Sequence, residues 1–157
     1  MSTIARETTG QVASHLVERI ATAVGSDSVA SAFERLRGAS FDCLQYLYIL
    51  DPAGRLSGVV PFTRLMAASG GARLAELMDA MHEGIAVDLD QEGALSWARH
   101  RRMSAPPVVD ADGRLLGCLP PEALIEIGRT EHAEDISRLA CILHHNNQGA
   151  AALETPP

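Results

Sequence analysis

The chain contains no lysine, and all 13 of its basic residues are arginine. This absence excludes a phosphate-binding P-loop, which needs a lysine to reach the phosphates, and Schiff-base chemistry, which needs a lysine amine. Cysteine is scarce too. Cys43, Cys118 and Cys141 form an odd set without CxxC spacing, which points to buried, reduced thiols rather than disulfides or a zinc site. No apolar run approaches the roughly 18 to 20 residues of a membrane-spanning helix, so no direct membrane insertion is expected. The opening stretch Met1 to Glu7 lacks both an apolar segment and a cleavage-site pattern, so export is not expected and the cytoplasm is. Clustered cations are missing as well. At a net charge of −7 the chain is a poor match for a phosphate backbone, and nucleic acid is not an expected partner. HExxH, GxGxxG and GxSxG are all absent, which argues against an enzyme.

What is present is a globular composition, 157 residues of which 46% are apolar, and a duplication. Asp51-Pro52-Ala53-Gly54-Arg55-Leu56-Ser57-Gly58-Val59-Val60-Pro61 returns 59 residues later as Asp110-Ala111-Asp112-Gly113-Arg114-Leu115-Leu116-Gly117-Cys118-Leu119-Pro120, and Leu65 returns as Leu124. In each copy an apolar run, Tyr46 to Leu50 or Pro107 to Val109, meets an Asp-x-x-Gly turn and continues as a second short strand, predicting a β-hairpin. Pro61 and Pro120 suit the first position of a following helix, predicted over 61–68 and 120–128. Apolar residues at helical spacing predict earlier helices from Ser28 to Arg37 and from Asp90 to Arg101, with Ser28 and Asp90 as N-caps. Ala21 to Val24 and Ile85 to Val87 read as the first strand of each unit. Ala72 to Met78 reads as a connecting helix, Glu131 to His144 as a sixth helix, and Asn146 to Pro157 as a tail.

Two β-α-β-β-α units, with Pro106-Pro107-Val108-Val109-Asp110 ahead of Gly113-Arg114-Leu115-Leu116-Gly117, resemble a tandem pair of cystathionine-β-synthase-type (CBS) domains. The resemblance implies an α/β (α+β) fold of two repeats packed with pseudo-two-fold symmetry, a Bateman module. Its organisation would be a helical lead-in over 1–19, a first repeat over 20–71, a connecting helix over 72–79, a second repeat over 80–130, an acidic helix over 131–144 and a flexible tail over 145–157. Within the family the chain is most similar to the cytosolic CBS pair of MgtE-type magnesium transporters. Arg73 to Met78, Asp90-Gln91-Glu92 and Glu131 to Leu139 carry that likeness.

The resemblance implies a regulatory, ligand-sensing module that forms a homodimer and works beside a membrane transport domain. Two ligand classes follow. For Mg²⁺, Glu131, Glu134 and Asp135 offer hard oxygen donors at i, i+3 and i+4 on one helical face. The alternative for these acids is helix stabilisation against the macrodipole, as residues of a first turn. Ser69 stands where the transporters would carry an interdomain Asp. For an adenine nucleotide, the implied cleft positions are Val24 and Val87 at the strand ends, with Arg64 and Glu122 on the following helices. The family's Gly-x-x-[Ser/Thr]-x-x-Asp phrase is replaced by Gly58-Val59-Val60-Pro61-Phe62-Thr63-Arg64 and by Gly117-Cys118-Leu119-Pro120-Pro121-Glu122-Ala123, so its hydroxyls and carboxylates are missing from both copies. Phe33, Tyr46, Tyr48 and Trp97 read as packing residues rather than platforms for a base. His144-His145 reads as a helix end rather than a metal site.

Overall fold

The computed structural model describes residues 11–133 and residue 141. Strand β1 (Ile20–Val24) leads into helix α1 (Val29–Leu36), followed by β2 (Cys43–Leu50), β3 (Leu56–Pro61) and α2 (Phe62–Ala67). After a single turn of helix, α3 (Leu74–Leu77), comes the short strand β4 (Asp79–Ala80). The second unit is β5 (Ile85–Ala86), α4 (Gln91–Arg101), β6 (Pro107–Val109), β7 (Leu115–Cys118) and a helix α5 over 121–133. Both sheets share one topology: the first strand runs parallel to the second, and the second is antiparallel to the third.

Local chemistry sets the shared elements. Ser28 caps α1 by accepting from the Ser31 N–H, and Asp90 caps α4 by accepting from the Gly93 N–H. In the hairpins Asp51 Oδ1 accepts from the Ala53 and Arg55 N–H groups, and Asp110 Oδ1 from those of Asp112 and Arg114. Gly54 and Gly113 both close their turns at φ 82°, where a side chain would be strained.

The two units are interlocked. Asp79 and Ala80, just ahead of the second unit, pair with Val59 and Gly58 on the edge of the first sheet. Val17, just ahead of the first unit, pairs with Cys118 on the edge of the second. Val17 and Asp79 are equivalent positions, as are Val59 and Cys118, so each unit lends a strand edge to the other. The exchange continues outward, with Ser28 bridging Arg73 and Asp90 bridging Gln11. The turns meet in the middle, where Arg55 bridges Arg114 and the Leu56 and Leu115 N–H groups donate to the Gly113 and Gly54 carbonyls at 3.1 and 3.2 Å. A pseudo-two-fold axis passes between those arginines. The duplication therefore reaches into the lead-in and the connector, with residues 11–17 matching 73–79.

The core follows from the two-residue period of the strands. Leu47 and Ile49 face α1 and α2 together with Ala21, Ala23, Val60 and Leu65. Val108, Ile85 and Leu119 do the same in the second unit. The opposite faces meet at a seam of Tyr48, Leu56, Val59, Met103, Ala105, Val109 and Cys118. Burial on both faces explains why these strands read as short apolar runs rather than as alternating ones.

Three expectations change. The connecting helix shrinks to one turn because the chain is drawn out as β4 along the edge of β3. No helix begins at Glu131: α5 runs unbroken through 121–133, so Glu131 lies far from the helix start and gains nothing from its N-terminal dipole. Of the cysteines only Cys118 is buried, while Cys43 is half-buried and Cys141 exposed. Within the described residues no helix is long and apolar enough to cross a membrane.

Candidate functional site

Glu131, the one described member of the expected acidic set, lies on the surface between α4 and α5. Glu92 in the first turn of α4 and Glu131 on α5 line one cleft of about 510 Å³ with Leu95, Ser96, Arg99 and His100. The long run of α5 brings Glu131 back over the start of α4. Glu134 and Asp135 lie outside the described residues. Hard carboxylate oxygens suit a divalent cation, and Mg²⁺ usually keeps several waters. Among the described residues no group of three His, Cys, Asp or Glu side chains could hold a metal. Glu92 and Glu131 share this cleft, fewer carboxylates than a complete protein cage would need. Glu92 belongs to the Asp90-Gln91-Glu92 phrase that carries part of the family likeness, but it was not among the expected ligand residues. Its proximity to Glu131 spans 39 residues of chain and leaves no local trace.

The expected nucleotide positions separate into distinct surroundings. Arg64 Nη1 donates to the Leu77 carbonyl at 2.9 Å and to Asp79 Oδ1 at 3.1 Å, tying α2 to the exchanged strand β4. A phosphate at this cleft would compete with Asp79, which sequence reading missed because the pairing depends on the strand exchange. Glu122 is exposed on the first turn of α5, behind Pro120 and Pro121, where two N–H donors are missing. Val24 is half-buried, and its N–H donates to Asp27 Oδ2, a carboxylate also held by Arg35 at 2.7 Å. Val87 is half-buried against the second unit's core and donates its N–H to the Val109 carbonyl. The register makes Ala86 the equivalent of Val24, so Val24 and Val87 are neighbours of equivalence rather than counterparts.

At the position matching Leu77, the second unit carries His15. Its Nε2 lies 3.0 Å from Gln91 Nε2 and its Nδ1 4.0 Å from Glu126 Oε2. The surroundings of Leu77 and His15 thus differ in charge and donors although their backbones correspond.

The aromatics pack. Tyr48 is fully buried and donates its hydroxyl to the Ala105 carbonyl at 2.6 Å, across the seam. Phe33 and Phe62 meet edge to face at 6.1 Å, and Arg101 lies 5.1 Å over the Trp97 ring. Burial raises the Tyr48 hydroxyl far above its ordinary range, with Cys118 adding to the rise. Burial likewise pushes the Cys118 thiol up to about 12, the Tyr48 hydroxyl partly offsetting this and Cys43 adding to it.

No family model matches the sequence. The magnesium transporter MgtE of Thermus thermophilus is 30% identical over 125 residues, which is 77% of this chain and 28% of the transporter. The chain thus spans less than a third of that curated relative. Among solved structures, the cytosolic domain of the Mg²⁺ channel MgtE in complex with ATP superposes with a TM-score of 0.73 at 26% identity, over 78% of this chain and 50% of that one. The cystathionine β-synthase pair domain of a putative Mg²⁺ transporter from Shewanella oneidensis gives a TM-score of 0.67 at 20% identity, over 80% and 73%.

Proposed function

The chain is a tandem CBS domain pair similar to the cytosolic region of MgtE, and from that premise we propose that it is a non-catalytic regulatory module responding to Mg²⁺. The observation that carries this reading is the shared cleft of Glu92 and Glu131 between α4 and α5. The cleft collects these two carboxylates beside Arg99 and His100, and hard oxygens in one space attract a divalent cation. A cation held between them, or between this surface and a partner's, favours whichever arrangement brings them closest. Glu134 and Asp135 supply further oxygens for the same response. The interlocked strand edges would transmit the change, since neither unit can shift without moving a strand of the other. The module acts as a homodimer in the cytoplasm and beside a membrane transport domain. Calorimetric titration of the full chain with Mg²⁺, with scattering alongside, tests this: heat and a change in dimensions are expected, both weakened by Glu131→Gln and by Glu134→Gln/Asp135→Asn. Silence up to millimolar metal would reject it.

A second reading is favoured by the similar MgtE domain solved with ATP. Here an adenine nucleotide binds at the cleft beside Arg64, whose guanidinium exchanges Asp79 for a phosphate. Thermal shift with ATP, ADP and AMP in the absence of metal separates the two readings, and Arg64→Gln should remove any nucleotide-dependent rise.

A further inference from the structure

The seam between the repeats contains two thiols that belong to different units. Cys43 begins β2 in the first sheet, and Cys118 ends β7 in the second. Both pack into the cluster built around Tyr48, Leu56, Val59 and Val109. Cys43 is half-buried and so open to a small reagent, whereas Cys118 is fully buried. Cys118 and Tyr48 are members of one buried cluster and Cys43 packs against it, and both Cys43 and Tyr48 act on the Cys118 thiol. At the position matching Cys118 the first unit carries Val59, so the packing itself does not require sulfur there.

We infer that Cys43 and Cys118 form an oxidisable pair, and that a disulfide between them staples the two repeats together when the protein meets a low-molecular-weight disulfide. This goes beyond the ligand-sensing reading and does not depend on which ligand is sensed.

The chemistry is thiol–disulfide exchange in two steps. The Cys43 thiolate attacks one sulfur of the small disulfide, forming a mixed disulfide and releasing one small thiolate. The Cys118 sulfur, on losing its proton, then attacks the Cys43 sulfur. The Cys43–Cys118 bond forms, the mixed bond breaks, and a second small thiolate leaves. Two electrons pass from the protein thiols to the small disulfide, and the two thiol protons end on the two released thiols. The order follows from access, since the half-buried Cys43 can be reached before the buried Cys118. The second step is slow, because Cys118 must be deprotonated in an apolar seam, and it accelerates as the pH rises.

The pair lies in the seam where the faces of the two repeats meet. A covalent bond there holds one packing arrangement, so oxidation would set the gain of the sensor.

The full chain carrying Cys141→Ser, which removes the exposed thiol, is incubated with oxidised glutathione at pH 8.5 and mapped by non-reducing peptide mass spectrometry. The expected product is a Cys43 peptide joined to a Cys118 peptide, lighter by two hydrogens than the reduced pair. Its melting temperature should be raised, and dithiothreitol should reverse both changes. Cys118→Val, which copies Val59, should fold normally, acquire glutathione on Cys43 and go no further. Persistence of the Cys43–glutathione adduct with Cys118 still reduced would overturn the inference, as would the absence of any modification at Cys43.

Discussion

Gly117 leaves no space between β7 and the backbone carbonyl of Val17: a Cβ built there would collide with that oxygen and with the Leu16 side chain. Gly58 is its counterpart in the first sheet, where a Cβ would meet the Asp79 carbonyl at 2.8 Å and Met78 Sδ at 2.7 Å. Both glycines lie where one unit's sheet receives the strand edge lent by the other.

Gly117→Ala and Gly58→Ala should each destabilise the chain by about 1–3 kcal/mol, the usual cost of forcing a methyl into filled space. Gly71→Ala, where a Cβ would meet nothing within 4 Å, should change stability by less than about 0.5 kcal/mol. Urea denaturation of the three variants checks the ordering.

Tyr48 holds the seam through one buried hydrogen bond to Ala105. Tyr48→Phe should cost about 1–3 kcal/mol, because the carbonyl left behind is buried without its donor. Tyr46→Phe should cost less, since its hydroxyl accepts a longer 3.3 Å bond from the exposed Ser104 N–H. Chemical denaturation of both variants provides the comparison.

Alkaline pH should loosen the same seam. The folded state holds the Cys118 proton more tightly than the unfolded chain, with the thiol pushed from about 9 up to about 12, and Tyr48 is shifted in the same direction. The stability this provides is complete below pH 9 and is lost as the pH rises toward 12. Melting temperature measured from pH 7 to 11 should fall beyond pH 9, and Cys118→Val should reduce the slope. A slope unchanged by that substitution would contradict the assignment.

At acid pH the exposed pair Arg19–Asp42 works in the opposite sense. Arg19 holds the Asp42 carboxyl below its ordinary range through bonds of 2.6 and 3.1 Å. The stability it lends is present above the ordinary carboxylate range and disappears as the pH falls through the lowered value. Asp42→Asn should therefore lower the melting temperature at pH 7 and become indistinguishable from the parent protein in strong acid.

The hairpins were readable in the sequence because their chemistry is local: Asp51 and Asp110 bond backbone groups within four residues, and Gly54 and Gly113 adopt the positive φ that marks them. The Ser28 and Asp90 caps were readable for the same reason. Strand exchange was not, because Val17 and Asp79–Ala80 are isolated contacts between distant segments and carry no periodicity. The site follows this division. Glu131 and Glu92 were each visible in a phrase of the sequence, but their meeting in one cleft was not. Arg64 was visible as a cation, while its engagement with Asp79 depends on the placement of β4.

In the proposed function the response to Mg²⁺ passes through the contact between the repeats at the pseudo-two-fold axis. Hydrogen exchange at the Leu56 and Leu115 amides, which bridge the two turns, measures that contact directly. Millimolar Mg²⁺ should change the protection of both amides together, and Glu131→Gln should diminish the change. Metal binding that leaves both amides exchanging at their original rates would contradict it.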